Sequence, residues 1–80
     1  MNGLYEQYVL STLPIKTCMT MIRALEDVID SHMQELVDIV YIFTAEARAR
    51  KFELSALIAS YRTTLGQYEE RLKSLQASLL

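Results

Sequence analysis

The lack of helix-breaking residues along the middle of the chain limits the possible folds most strongly. Pro14 and Gly66 bracket a segment that contains no glycine and no proline, the two residues that most oppose helix formation. Within it, no short run alternates polar and apolar side chains between turn signals, as a half-buried strand would. Fully helical, residues 15–65 would be about 76 Å long. The sequence therefore predicts an all-α protein.

Apolar side chains recur along this segment in groups that share one helical phase. Each group begins eighteen residues after the last, and eighteen residues make five full turns of an α-helix. The resulting apolar stripe consists of Cys18, Ile22, Leu25, Ile29, Leu36, Val40, Phe43, Ala47, Leu54, Ile58, Tyr61, Leu65, Leu72 and Leu79. Because turns between the groups would leave their phases free, the shared phase favours helical continuity through at least one junction.

Two positions interrupt the apolar stripe with polar side chains. His32 lies between the first two groups, and Arg50 lies between the next two. Arg50 belongs to a run with Arg48 and Lys51, and such cations stabilise the C-terminus of a helix. A bend near residues 47–52 or 30–32 is therefore compatible with the sequence, although neither site requires one.

The width of the apolar surface differs between the two halves of a single domain, residues 1–80. It is broad over residues 15–47 and narrows to the stripe over residues 52–79. A broad face needs two or more neighbours, whereas a narrow one fits a single seam. We expect a coiled-coil-like, oligomeric antiparallel hairpin of two long helices that folds back near residues 47–52. A short helix over residues 4–13 precedes it, and Pro14 suits the first turn of the next helix. The alternative is one extended helix in a multi-chain bundle.

Composition restricts the class of protein further. Apolar residues make up 51% of the chain and charged residues 22%, with a formal net charge of −2. This composition excludes the disordered class. The net charge argues against a nucleic-acid partner, because nucleic-acid-binding modules usually carry a clear positive excess on one face. The longest apolar run falls short of the roughly 20 residues of a membrane span, and the N-terminus lacks the features of a secretory signal. We expect a cytoplasmic protein without a transmembrane segment.

Residues able to carry chemistry are sparse. His32 and Glu35 have a spacing that metal ligands can use, but the chain holds no second histidine, so a solvated or capping role is expected for His32. Cys18 is the first residue of the apolar stripe, and we expect it to pack in the core. The two glycines stand alone and form no phosphate-binding loop. We predict a non-enzymatic protein with no catalytic residues, metal, cofactor or small-molecule substrate.

The apolar surface exceeds what two helices can bury between them, which predicts a protein partner. The leading hypothesis is a protein–protein interaction module, an assembly subunit or a small chaperone-like adaptor that buries its apolar face against partner helices. An apolar helix lying on a membrane surface is a further hypothesis. The predicted partner-binding residues are Leu36, Val40, Phe43, Leu54, Tyr61 and Leu65.

An alternative is a small homo-oligomeric regulator that acts on a nucleoid or transcription partner, or on an acidic ligand, through Arg48, Arg50 and Lys51. Residues 18–30, CMTMIRALEDVID, resemble part of the first half of the Hha/YmoA family of small helical regulators. Those proteins bind a nucleoid-associated partner, so the resemblance implies transcriptional modulation. It covers under a fifth of the chain, and Ala47-Arg48-Ala49 stands where the family has Asp-His-Arg.

Overall fold

Two long helices form a hairpin. The computed structural model describes the backbone of residues 2–79 and the side chains of residues 13–79. Helix α1 spans Asn2–Ile39 and helix α2 spans Ala45–Ala77, with a loop at residues 40–44 between them. They pack against each other in a body of 65 × 18 × 13 Å. The all-α prediction is confirmed, and the extended single-helix alternative is not what the isolated chain adopts.

The position of the fold-back differs from the prediction. We expected it near residues 47–52, but the loop lies at residues 40–44 and the cationic run belongs to α2. Thr44 caps α2: its backbone is extended, with φ −81° and ψ 162°, and its hydroxyl accepts a hydrogen bond from the Ala47 amide at 3.1 Å. Glu46 places a negative charge in the first turn. A cap and an acidic first turn are start signals for a helix, and they outweigh the preference of cations for a C-terminus.

A separate short helix before Pro14 is not shown. Helix α1 begins at Asn2 and continues through Pro14, although proline lacks the amide hydrogen that a helix interior uses. One turn later, the Thr17 hydroxyl donates to the Leu13 carbonyl at 3.0 Å. The helical spacing of Leu4, Tyr5, Tyr8, Val9 and Leu13 predicted the short helix, and the first four of these lie outside the described side chains.

The apolar stripe forms the interface between the helices. Among residues 13–79 the buried side chains are Cys18, Leu25, Ile29, Ala47, Leu54 and Ile58. Most other members of the stripe are half-buried. Val40 and Phe43, in the loop, and Leu79, beyond the end of α2, are exposed. Within the two helices the stripe therefore lies at the contact between them, where its members are buried or half-buried.

The hairpin exposes more surface than a compact domain of its mass. Its accessible surface is 6420 Å², whereas a compact monomer of 9.2 kDa would expose about 4900 Å². Its radius of gyration is 18.6 Å, against about 11.6 Å expected for a compact chain of this length. A two-layer hairpin has no third element to cover its outer faces. Within residues 2–79, neither helix combines the length and apolarity needed to cross a membrane.

Candidate interaction surface

Exposed apolar side chains concentrate at the loop end of the hairpin. We call this set the apolar tip; it consists of Val37, Val40, Tyr41, Ile42, Phe43 and Phe52. Tyr41, Phe43 and Phe52 are 85%, 79% and 81% exposed. Since an aromatic side chain can bury about 150–250 Å², these three rings present roughly 500 Å² to solvent. Tyr41 and Phe43 lie in the loop, whereas Phe52 lies on the outer face of α2.

Lys51 ties the loop to the start of α2. Its Nζ donates hydrogen bonds to the carbonyl oxygens of Val40 at 3.0 Å and Ile42 at 2.8 Å, and it lies 5.0 Å from the centroid of the Phe43 ring. The last turn of α1 contains no basic residue, so Lys51 supplies from α2 the positive charge that favours the C-terminal end of a helix. The loop conformation therefore depends on a side chain that lies outside the loop.

Arg50 connects the two helices beside the same loop. It donates from Nε and Nη2 to the two carboxylate oxygens of Glu35, at 2.5 and 2.9 Å, and from Nη1 to Glu53 at 2.9 Å. Hydrogen bonding to Arg50 lowers the pKa of Glu35, and the same bonding raises the pKa of Arg50. Both side chains keep more than a third of their surface exposed, so solvent screens the pair.

The three cations predicted to meet a charged partner differ in whether they already have partners within the chain. Arg50 and Lys51 have partners within the chain. Arg48 is exposed and forms no ion pair with any residue among 13–79. The structure therefore leaves Arg48 as the member of this set that could meet an external charge without first giving up a contact in the hairpin.

The six predicted partner-binding residues occupy three different environments. Val40 and Phe43 are exposed at the apolar tip. Leu36, Tyr61 and Leu65 are half-buried. Leu54 has no exposed surface and belongs to the core of the hairpin, so in this conformation it cannot touch a partner.

Sequence reasoning missed one contributor to this surface, Phe52. It lies off the apolar stripe and outside the broad apolar face predicted over residues 15–47, which includes Tyr41 and Ile42. A large apolar residue on the polar face of a helix, such as Phe52, was the available signal. The sequence also gave no sign that the His32 ring of α1 stacks on the Tyr61 ring of α2, with ring centroids 5.7 Å apart and ring planes at 25°.

A groove lies between the helices, away from the loop. This open groove has a volume of about 840 Å³ and is lined by Leu13, Pro14, Thr17, Cys18, Thr64, Gln67, Tyr68 and Arg71. In the part of the chain that the structure describes, no cluster of three or more histidine, cysteine, aspartate or glutamate side chains could hold a metal ion.

Comparison with known proteins adds no relatives to this description. The chain matches no protein-family model, no curated protein and no solved structure. The resemblance of residues 18–30 to the Hha/YmoA regulators therefore gains no support from them.

Proposed function

We propose that this chain is a non-enzymatic helical protein–protein interaction module, an assembly subunit or small chaperone-like adaptor that buries apolar surface against partner helices. The observation that supports it best is the contrast between a small core and a large exposed apolar tip. Among residues 13–79, six buried side chains hold the helices together, while Tyr41, Phe43 and Phe52 remain about four-fifths exposed. Exposed aromatic side chains are typical of association surfaces.

Exposure along α1 supports the same proposal. Met19, Met33 and Val37 are 50%, 41% and 62% exposed. At 100° per residue they fall within a 40° sector on one side of the apolar stripe. Met33 and Val37 extend the exposed apolar surface from the tip along α1, whereas Glu26 lies in the same sector between Met33 and Met19. A helix with apolar side chains beyond its contact with one neighbour is suited to receive a second neighbour.

The alternative, a regulator acting through its cationic run, has weaker support. Arg50 and Lys51 would have to leave Glu35 and the loop carbonyl groups to bind an acidic ligand. Arg48 by itself does not make a basic patch, and the net charge of −2 opposes a phosphate-rich partner. A steep fall in DNA binding with rising salt would favour this alternative over the interaction module.

The deciding experiment compares Phe43→Asp and Phe52→Asp with Ser60→Asp, which adds the same charge at an exposed site of α2 away from the apolar tip. Sedimentation velocity over about 1–100 μM measures self-association, and co-purification from the native cell measures binding to other proteins. We expect Phe43→Asp to weaken association by at least about tenfold, because a charge opposes burial of this stripe position. Phe52 lies on the outer face of α2, so Phe52→Asp should weaken binding to a different protein that covers this face and should leave pairing along the apolar stripe unchanged. Ser60→Asp should associate like the unmodified chain. A compact single copy that captures no partner would contradict the proposal.

A further inference from the structure

The loop at residues 40–44 has a sequence that is compatible with helix. It contains no glycine and no proline, and no residue in the described part of the chain has a positive φ. The loop also keeps turn-like hydrogen bonds, from the Val40 amide to Val37 and from the Ile42 amide to Ile39. A short helix–helix connection commonly uses a glycine in a left-handed conformation to stop the first helix. Nothing of that kind enforces the turn here.

Two loop residues also carry the periodicity of a helix. Val40 and Phe43 belong to the apolar stripe, yet they are 43% and 79% exposed in the hairpin. From Leu36 to Leu54 is eighteen residues, or five turns. If residues 40–44 were helical, Val40 and Phe43 would therefore lie on the same face as Leu36 and Leu54. The hairpin leaves unburied the part of the stripe that a continuous helix would place on its apolar seam.

We propose that the partner of this chain is a second copy and that the two copies exchange α2, with residues 40–44 becoming helical. This inference rests on the proposed function and specifies its partner. Each chain becomes one long helix, and the two helices pair antiparallel along the apolar stripe. Exchange of an identical element re-forms the same contacts between chains and is a low-cost route to a dimer.

The contacts of the hairpin define where the two-fold axis of this dimer lies. Glu35 pairs with Arg50, so in the exchanged dimer Glu35 of one copy meets Arg50 of the second. The midpoint of that pairing falls between residues 42 and 43. Phe43 of each copy therefore lies beside the axis, close to Phe43 and Val40 of the second copy. The exchange preserves the pairing of the helices and also covers Val40 and Phe43, whereas Phe52, about 160° around the helix from Leu54, stays exposed.

Two polar interactions are present in the hairpin and absent from the exchanged dimer. Lys51 occupies the carbonyl oxygens of Val40 and Ile42, which in a continuous helix would accept from the amides of Thr44 and Glu46. The Thr44 hydroxyl occupies the Ala47 amide, which would instead donate to the Phe43 carbonyl. Removing either side-chain interaction destabilises the hairpin without removing a contact of the exchanged dimer.

The first test measures a distance within one chain. Spin labels are placed on cysteines at the exposed sites Thr20→Cys and Thr63→Cys in a Cys18→Ala background, and labelled protein is refolded with a tenfold excess of unlabelled protein. In a continuous helix the two sites are about 65 Å apart, whereas in the hairpin they lie within about 25 Å, since packed helices are about 8–10 Å apart. We expect the dimer fraction from size exclusion to give the long distance. Dimers that give only the short distance would be pairs of closed hairpins and would overturn the exchange.

The second test uses substitutions to shift the equilibrium between the monomeric hairpin and the exchanged dimer. Lys51→Ala and Thr44→Ala should each raise the dimerisation constant by roughly thirtyfold, because each of the two hairpins that form a dimer loses one cap or one helix-end charge, worth about fivefold. Two glycines inserted between Ile42 and Phe43 should lower it, because they oppose helix through the loop. Lys73→Ala, at an exposed site of α2, is the control. Variants that leave the dimerisation constant unchanged would count against the exchange.

These outcomes separate the inference from the proposed function. A chain that remains a monomer at 100 μM but forms a defined complex with a different helical protein overturns the exchange and retains the interaction module. A monomer without any partner removes both. A dimer with the long distance within each chain supports both.

Discussion

The guanidinium group of Arg50 forms a bidentate ion pair with the carboxylate of Glu35, fifteen residues earlier in the chain, with N–O distances of 2.5 and 2.9 Å. This pair joins the end of α1 to the beginning of α2. Bidentate geometry restricts orientation as well as distance. Arg50 interrupts the apolar stripe in the sequence, and the structure shows that this interruption serves the pairing of the two helices.

The pH dependence of stability should reflect this pair. Hydrogen bonding to Arg50 lowers the pKa of Glu35 below its ordinary value of 4.5, so the folded state binds this proton less readily than the unfolded state. The pair therefore contributes stability above about pH 4.5, and this contribution is lost as pH falls through the lower folded-state pKa. Glu35→Gln should flatten part of the decline in melting temperature between pH 5 and pH 3. Glu69→Gln, at an exposed site of α2, is the control; equal profiles for both variants would contradict the role of the pair.

Loss of the Lys51 side chain should destabilise the hairpin. Lys51→Ala removes two hydrogen bonds to loop carbonyl groups and a positive charge at the end of α1. We expect the free energy of unfolding of the monomer to fall by about 1 kcal/mol. Urea denaturation at low protein concentration measures it. The control Lys73→Ala should change it by less than about 0.5 kcal/mol. A similar loss in both variants would mean that Lys51 contributes only general charge.

The N-terminal cap of α2 provides a second local prediction. Thr44→Ala removes the acceptor of the Ala47 amide, and loss of such a cap costs about 1 kcal/mol. Amide hydrogen exchange at Ala47 should accelerate, because this amide loses its hydrogen-bond partner. Thr44→Ser keeps a hydroxyl at the same position and should retain most of the protection. Fast exchange at Ala47 in the unmodified protein would argue against the cap.

Replacement of a leucine by alanine should destabilise the hairpin strongly at Leu54 and only slightly at Leu79, the last residue of the apolar stripe. Leu54 has no exposed surface, whereas Leu79 is 51% exposed. Leu54→Ala should cost about 2–5 kcal/mol by loss of burial and creation of a cavity. For a hairpin with so small a core, that is enough to unfold the isolated chain. Leu79→Ala removes the same atoms and should cost less than about 1 kcal/mol. Circular dichroism during thermal unfolding distinguishes the two.

The apolar stripe was predictable because burial of an amphipathic helix depends on periodicity alone. Cys18, Leu25, Ile29 and Ile58 all lie in the core where the five-turn repeat placed them. The site of the turn was harder to predict, because residues 40–44 continue the apolar pattern and carry no glycine or proline. The contacts that stabilise the turn come from Lys51 and Arg50, and side-chain reach across a turn leaves no periodic signal.

The sequence by itself determined that the chain is helical and which face of each helix is apolar, since both follow from local propensity and from the 3.6-residue repeat. Only the tertiary structure decided that the chain reverses at residues 40–44, that Leu54 is enclosed, and that Phe43 and Phe52 remain exposed. The physical reason is that a shared helical phase is satisfied equally by one long helix and by two facing ones. The balance between them depends on a few polar contacts, which form only once the two helices have come together.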